Sequence, residues 1–292
     1  MKKIALLFIT ASFLFACEKN IDFNLKNADD LLVVDAQIEN GMPPTVVLTK
    51  SFDYYKTIGL DIFAKSFVHN AVVTISNGIF THTLKEYTIP LGAGYSAYYY
   101  SIDSANMATA FLGQFNKQYT LTVIAEGKQY MAKTTIPLLT KYPDSVWFRQ
   151  APLNPDTNKR VMVVKTFDPP GLGNYIRYFT KKNRGNFLPG ENSVFPDDVI
   201  DGTTYELQVD AGIDWNNRVP GDSNFFKRGD TVTLKLCNID KPTFTFWSTW
   251  EFAQQSIGNP FAQPNKVLGN IDNGALGAFY GYAAWYKTII AK

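Results

Sequence analysis

The sequence predicts a mainly β protein, with an N-terminal immunoglobulin-like β-sandwich followed by a second β-sandwich-like domain with a covering helix and long loops. Short apolar and β-branched runs recur along the chain, and clusters of Gly, Pro, Asn and Asp separate them, as in strands joined by turns. The composition, with 46% hydrophobic and 15% aromatic residues, is sufficient for a packed core. Because the chain has only two cysteines, its fold depends on that core rather than on a disulfide framework.

The first domain is predicted over residues 31–140. Its strand-like runs cover residues 31–34, 45–49, 72–76, 79–84, 119–123 and 128–136. About seven short strands over roughly 110 residues are typical of an immunoglobulin-like sandwich. Residues 104–115 are expected to form one short helix.

Asn77-Gly78 predicts a hairpin with a two-residue turn, because both positions tolerate a positive φ. In the register that such a turn imposes, His82 lies opposite Val73. His69 and His82 are the two histidines of the chain. A zinc site needs three or four ligands, so we expect structural roles for both.

The second domain is predicted over residues 141–292. Its strand-like runs cover residues 145–149, 160–165, 174–180, 204–209, 231–237 and 277–290. The rest of residues 183–227 is rich in Gly, Pro, Asn and Asp, which predicts long loops of the kind that often carry function. Apolar Phe246, Trp247 and Trp250 have helical spacing, so a helix near residues 245–257 is expected to cover one sheet.

The N-terminus has the pattern of a lipoprotein signal. Two lysines precede an uncharged run that ends in Leu14-Phe15-Ala16-Cys17. We predict a signal peptide over residues 1–16, attachment to the lipid bilayer through an acylated Cys17, and a polar tether to residue 30. The alternative is an ordinary secretory peptide that contains a cysteine. The run is shorter than the roughly 20 apolar residues of a membrane span.

Charge and cysteine content exclude several classes of function. Removal of Lys2 and Lys3 with the leader leaves equal numbers of basic and acidic residues. A nucleic-acid partner requires a basic face, so none is expected. We also expect no cofactor. Cys237 lies in an apolar strand-like run and is expected to be a small buried hydrophobe rather than a reactive thiol, which would require a basic neighbour or a helix N-terminus.

Two clusters are candidate sites, although no catalytic residue is predicted. Asp197, Asp198 and Asp201 could bind Ca²⁺ or perform acid–base chemistry, but an Asp-Gly turn before a strand accounts for them without a metal and is the preferred interpretation. Tyr98 and Tyr100 share one face of a predicted strand. Exposed aromatic residues can stack on sugars or fill an interface, whereas the alternative places these tyrosines in the core and at its rim.

The C-terminal part resembles a known family. Gly258-Asn259-Pro260-Phe261-Ala262-Gln263-Pro264, Val267-Leu268-Gly269-Asn270-Ile271 and Gly274-Ala275-Leu276-Gly277-Ala278-Phe279 are similar to the ending of the Bacteroidota outer-membrane lipoproteins known as domain of unknown function 4249. Weaker similarity extends over the whole mature chain. The resemblance implies an outer-membrane lipoprotein, often encoded beside a TonB-dependent transporter, and implies no ligand or catalytic residue. Glu18-Lys19-Asn20 loosely resembles the tags that direct such lipoproteins to the cell surface rather than the periplasmic side.

Within this ending, Asn259, Phe261 and Asn270 are candidate partner or ligand residues, together with the two tyrosines. The alternative is a folding role, in which asparagine side chains satisfy backbone groups and Phe261 fills the core. Gly277 is expected to permit a close backbone approach at the last strand.

Three functions are compatible with these observations. The first is an accessory or substrate-capture partner of a TonB-dependent outer-membrane transporter. The second is a structural or adhesive envelope lipoprotein without a transport role. The third is a hydrolase that uses Asp197, Asp198 and Asp201, a function that exposed and separated aspartates would exclude.

Overall fold

The computed structural model describes residues 30–52, 59–171, 173–197, 201–214, 224–257, 259 and 265–292. These residues confirm the predicted mainly β fold. The strands are β1 (Leu32–Glu39), β2 (Thr45–Lys50), β3 (Val72–Ser76), β4 (Thr81–Gly92), β5 (Tyr95–Ile102), β6 (Lys117–Ala125), β7 (Lys128–Ile136), β8 (Pro143–Gln150), β9 (Lys159–Phe167), β10 (Tyr175–Lys182), β11 (Leu188–Phe195), β12 (Thr204–Val209), β13 (Phe226–Lys227), β14 (Thr231–Ile239) and β15 (Leu276–Ile290). The helices are α1 (Leu60–Lys65), a 3₁₀ turn (Met107–Thr109) and α2 (Lys241–Ser256). Within the described ranges, no helix has the length and apolar character needed to cross a membrane.

Eleven strands form one large sheet in the order β11-β10-β14-β15-β1-β2-β5-β4-β3-β6-β7. Near its centre, β1 and β15 form a parallel ladder in which Val33 lies beside Leu276 and Glu39 beside Tyr282. The other described ladders are antiparallel. The strands of the two predicted domains therefore share one sheet, and the boundary at residue 140 stays a prediction.

The large sheet folds over itself, so that β7 packs against β15. The approach is close, because a Cβ atom on Gly281 would lie 2.7 Å from the carbonyl oxygen of Thr135. Alternating side chains of these strands point inward, as the period of two in a β-strand requires. Val34, Ile75 and Phe279 belong to the core enclosed between the layers. The last strand of the chain thus completes the N-terminal sandwich.

A smaller sheet packs on the other half of the molecule. Its central strand β9 pairs with β8 on one side and with β12 and β13 on the other. Met162 and Val164 of β9 pack with Val232 and Leu234 of β14 in a second core. This core confirms a second sandwich-like arrangement.

Helix α2 covers the opposite face of β14 and β15, as predicted, and begins at residue 241 rather than 245. Phe246 packs there with Tyr280 and Cys237 in a third core. Asp240 caps the helix by accepting a hydrogen bond from the Thr243 amide at 3.0 Å. Cys237 is free and fully buried, which confirms its expected role as a small hydrophobe.

The Asn77-Gly78 hairpin is present, but its predicted register is wrong. Ser76 lies opposite Thr81, so the turn contains four residues and His82 faces Ile75 instead of Val73. The Asn77 side chain lengthens the turn, because its Oδ1 accepts hydrogen bonds from the amides of residues 79 and 80 at 3.0 and 2.8 Å.

The helix expected over residues 104–115 is reduced to the 3₁₀ turn at Met107–Thr109. Asp103 Oδ1 accepts a hydrogen bond from the Ala105 amide at 3.0 Å. Such a local side-chain bond competes with helical backbone bonding. His82 is buried beside this turn, where its Nδ1 lies 2.9 Å from the hydroxyl of Thr109.

Strand β11 lies in a region predicted as loop. Pro189 and Gly190 weaken the strand pattern in the sequence. Gly190 is required by packing, since a Cβ atom there would lie 1.8 Å from the hydroxyl oxygen of Tyr178. The prediction of continuous loop is therefore wrong for residues 188–195.

Candidate functional site: an aromatic cavity between the large sheet and the long helix

A cavity of about 450 Å³ lies between α2 and the face of the large sheet. Its walls include two cationic side chains, Arg177 and Lys235, and six aromatic side chains. The aromatic residues are Phe179, Phe187, Trp247, Trp250, Tyr280 and Tyr282. A second cavity of about 280 Å³ shares Trp247 and Trp250 with the first and extends to Val33 and Asp35. The first cavity has the size of a small-molecule site, and the second is slightly smaller than such sites usually are.

Secondary-structure periodicity brings these side chains together. Residues 177 and 179 lie two apart on β10, and residues 280 and 282 lie two apart on β15, so each pair shares one face of the sheet. Trp247 and Trp250 lie three apart on α2 and share one helical face. Phe279, which precedes Tyr280, points to the core on the other side of β15.

Arg177 is the most constrained residue of the cavity wall. It is only 2% exposed, and its guanidinium carbon lies 3.3 Å from the ring centroid of Trp247 and 4.6 Å from that of Phe179. Its Nη1 donates a hydrogen bond to the Tyr282 hydroxyl at 2.7 Å, and its Nε donates one to Ser193 Oγ at 3.2 Å. Within the described part of the chain, Arg177 forms no ion pair.

Two acids lie near Arg177: Glu251 is buried behind the cavity wall, and Asp35 lines the second cavity. Ser193 connects Arg177 to Glu251, because its hydroxyl donates a hydrogen bond to the Glu251 carboxylate. Tyr280 donates a hydrogen bond to Asp35. Burial raises the pKa of both carboxyl groups, although their hydrogen bonds and the charge of Arg177 act in the opposite direction.

Lys235 differs from Arg177 because it has a carboxylate partner. Its ammonium group forms an ion pair with Glu39, and the side chains of both residues are 12% exposed. The ammonium nitrogen also lies 5.3 Å from the ring centroids of Phe179 and Tyr282. Aromatic faces attract a cation at such distances.

The tyrosines singled out in the sequence lie on β5, away from this cavity. Tyr100 is 3% exposed, and its hydroxyl donates to the carbonyl of Val68 at 3.1 Å. Tyr98 is half-buried and packs edge-on against His69, with 4.3 Å between ring centroids. Tyr100 is thus a core residue, and Tyr98 lies at the rim.

Of the three candidate residues in the C-terminal segment, the structure describes Asn259 and Asn270. Asn259 is exposed, whereas Phe261 lies outside the described residues, as does Cys17. Asn270 bonds the backbone: its Oδ1 accepts from the Phe279 amide at 2.8 Å, and its Nδ2 donates to the carbonyls of Phe279 and Lys133 at 2.7 and 3.1 Å. These bonds match the folding role considered for this segment.

The acidic cluster in the structure contains a residue that the sequence analysis did not include. Asp197 and Asp201 lie together with Asp168, and one carboxylate oxygen from each lies within 4.8 Å of the others. Asp198 lies outside the described residues. Asp168 also forms a buried ion pair with Lys141. Ca²⁺ takes six to eight oxygen ligands, and three carboxylates could supply some of them. The ammonium group of Lys141, however, already neutralises the charge of Asp168.

The hydrogen bonds of the acidic cluster order the surrounding loop. Asp197 accepts from the amides of Gly173 and Asn174 at 3.1 and 2.9 Å, and Asp201 accepts from the amide of Gly171 at 2.7 Å. Burial acts to raise the pKa of Asp197, but these amide hydrogen bonds lower it on balance. The cluster therefore has a structural explanation without a metal.

Sequence reasoning missed Arg177 and Lys235. Each is a charged residue between apolar neighbours in its strand, and its side chain faces the layer covered by α2. A cation between apolar neighbours in a strand that is buried on both faces is unusual. That signal was available in the alternation of β10 and β14, but only the position of α2 shows that the cations and aromatic residues meet.

Comparison with known proteins gives one family. A family model described as domain of unknown function (DUF4249) matches residues 18–287. No curated protein matches the chain.

Proposed function

Since the chain belongs to the family described as domain of unknown function (DUF4249), we propose its function from its leader and its cavity. The protein is a lipid-anchored outer-membrane lipoprotein of the Bacteroidota type. It captures a small substrate on the cell surface and acts as the accessory partner of a TonB-dependent transporter. It binds this substrate and does not transform it.

The proposed anchor rests on the N-terminal sequence. The basic start, the uncharged run and Leu14-Phe15-Ala16-Cys17 follow the order of a lipoprotein signal. The mature chain has balanced charge, so electrostatic attraction to a membrane would be weak and acyl chains would supply the attachment.

The proposed capture role rests on the cavity of about 450 Å³. Small-molecule sites are typically concave, mostly apolar and supplied with a few convergent polar groups. The aromatic walls with Arg177 and Lys235 have that character. This cavity is the observation that favours capture over a purely structural or adhesive role.

The test is affinity purification of the tagged lipoprotein from outer membranes in mild detergent, followed by mass spectrometry. We expect a TonB-dependent transporter in near-stoichiometric amount. A Cys17→Ala variant is the matched control, because loss of acylation should release the protein from the membrane fraction. Proteolysis of intact cells then distinguishes the surface side, where the protein is cleaved, from the periplasmic side.

Recovery of the protein alone, together with unchanged uptake in a deletion strain, would contradict the accessory role. An altered envelope or reduced attachment in the same strain would favour the structural or adhesive alternative.

A further inference from the structure

We propose that the cavity takes a small organic anion with a flat ring, whose anionic group binds at Arg177 while the ring packs on the tryptophans of α2. This inference rests on the proposed capture role and specifies the chemistry of the captured molecule. It predicts that inorganic anions and neutral ring compounds bind in the cavity more weakly than such an anion.

The charge of the lining favours an anion. Among the described residues that line the cavity of about 450 Å³, Arg177 and Lys235 are cationic and none is acidic. The charge of Lys235 is balanced by Glu39. Arg177 has only the neutral hydroxyls of Tyr282 and Ser193 as described hydrogen-bond partners, so it supplies the unbalanced positive charge.

The nearby acids do not supply the missing partner. Glu251 is separated from Arg177 by the Ser193 hydroxyl, and Asp35 is hydrogen-bonded to Tyr280. A buried charge without an ionic partner is costly, and an anion that binds beside the guanidinium would offset this cost.

The aromatic walls favour a flat ring over a flexible chain. Trp247 and Trp250 lie edge to face, with 5.7 Å between centroids and 75° between planes, so their faces point in different directions. Phe179 and Tyr282 form a similar edge-to-face pair on the sheet, at 5.9 Å and 84°. Such walls present both ring faces and ring edges. A flat ring can stack on a face or pack edge to face, which are the arrangements that aromatic pairs prefer.

The experiment compares two probes that share a ring and differ in charge, 2-naphthoate and 2-naphthalenemethanol. Isothermal titration calorimetry on the full chain in a neutral detergent measures both, with detergent alone as the blank. We expect 2-naphthoate to bind about tenfold more tightly than the alcohol, because a hydrogen bond to a charged group is worth at least that factor.

Arg177→Gln should reduce the affinity for 2-naphthoate about tenfold and leave the affinity for the alcohol within about twofold. Arg149→Gln is the matched control, since it removes the same charge from an exposed position on β8 and should change neither affinity. Trp250→Leu should weaken both probes to a similar degree. Circular dichroism establishes that each variant is folded. If Arg177→Gln does not fold, the comparison of the two probes on the wild-type protein tests the inference.

Equal binding of the two probes by the wild-type protein, or no binding of either, would overturn the inference. An equal effect of Arg177→Gln and Arg149→Gln would overturn it as well. The proposed function is tested separately by co-purification of the transporter. Binding of 2-naphthoate without a co-purified transporter would therefore reject the accessory role alone, and a co-purified transporter without probe selectivity would reject the anion alone.

Discussion

Asn270 holds a loop to two strands through its side-chain amide. The amide bonds both backbone groups of Phe279 on β15 and the carbonyl of Lys133 on β7. Asn270→Ala would leave these partly buried backbone groups unpaired, so we expect a loss of about 2 kcal/mol in the free energy of unfolding. Urea unfolding measures the loss. Gln129→Ala, an exposed position on β7, should change the free energy by less than about 0.5 kcal/mol, and an equal effect of both variants would contradict the role of Asn270.

Asp35 makes stability depend on pH. Desolvation by the surrounding groups raises its pKa above the usual 3.8, although the hydrogen bond from Tyr280 and the charge of Arg177 oppose this. A carboxyl group with a raised folded-state pKa favours folding while it is protonated, and this contribution is lost as the pH rises through the raised value. Asp35→Asn cannot ionise. Its free energy of unfolding relative to wild type should therefore increase with pH above 3.8.

Chemical unfolding at a series of pH values measures that difference. Asp144→Asn, at an exposed position on β8, is the control and should show a flat difference over the same range. A flat difference for Asp35→Asn as well would show that the Asp35 carboxyl does not contribute in this way.

Cys237 should be unreactive in the folded protein. Burial raises the pKa of its thiol to about 12, so the reactive thiolate is nearly absent at neutral pH. In a Cys17→Ser variant, where Cys237 is the remaining cysteine, we expect a disulfide reagent to label the thiol only after denaturant is added. Rapid labelling of the native protein would show that the strand opens locally.

The role of a single residue could be predicted where its neighbours in the sequence determine its environment. It could not be predicted where residues distant in the sequence determine that environment. The apolar neighbours of Cys237 in the sequence were sufficient to predict its burial. Arg177 was missed because its partners Trp247 and Tyr282 lie far from it along the chain. Asn270 was assigned two possible roles, and only the position of β15 shows which backbone groups it bonds.

At the scale of elements, Gly277 determines how β15 starts. Its φ is +92°, and a Cβ atom would lie 2.0 Å from the carbonyl oxygen of Val34 in the neighbouring strand. Gly277→Ala should therefore destabilise the fold by more than about 3 kcal/mol, because strain and a backbone clash add. Thermal and urea unfolding measure this loss.

Gly274→Ala is the matched control, since Gly274 has a φ of +80° but open space at the position of its Cβ atom. It should cost only the conformational strain, about 1 kcal/mol. Similar losses in the two variants would mean that the close approach of β1 and β15 contributes nothing. The sequence predicted a close backbone approach at Gly277. The lack of room for a Cβ atom at this position confirms the prediction.

Element boundaries show where turn and cap chemistry overrides pattern. The Asn-Gly signal located the hairpin, but the Asn77 side chain bonds two amides and adds two residues to the turn, which shifts the register of β4. The apolar spacing located α2, whereas Asp240 sets its start. Strand β11 was missed because Gly190 fits against Tyr178, a contact that no local pattern indicates.

At the scale of the whole molecule, the mainly β class and the covering helix followed from composition and periodicity. The parallel pairing of β1 with β15 did not, because the two strands are separated by nearly the entire chain and nothing in either one specifies the other. The candidate cavity depends on the same pairing, since Gln37 of β1 and Tyr280 of β15 lie side by side in its wall. A site built from such non-local neighbours cannot be located from one sequence.

The β1–β15 ladder also determines how the molecule resists force. Tension applied at Asp30, just before β1, and at Lys292, just after β15, would pull β1 backwards and β15 forwards along the same axis. Parallel strands loaded in this direction are sheared, so all hydrogen bonds of the ladder carry the load at once, whereas a hairpin pulled open breaks its bonds one after another. In atomic-force stretching, this geometry should give a higher rupture force than pulling across β3 and β4. If the protein is anchored at its N-terminus and a load acts on its C-terminus, the central β1–β15 ladder would therefore carry that load.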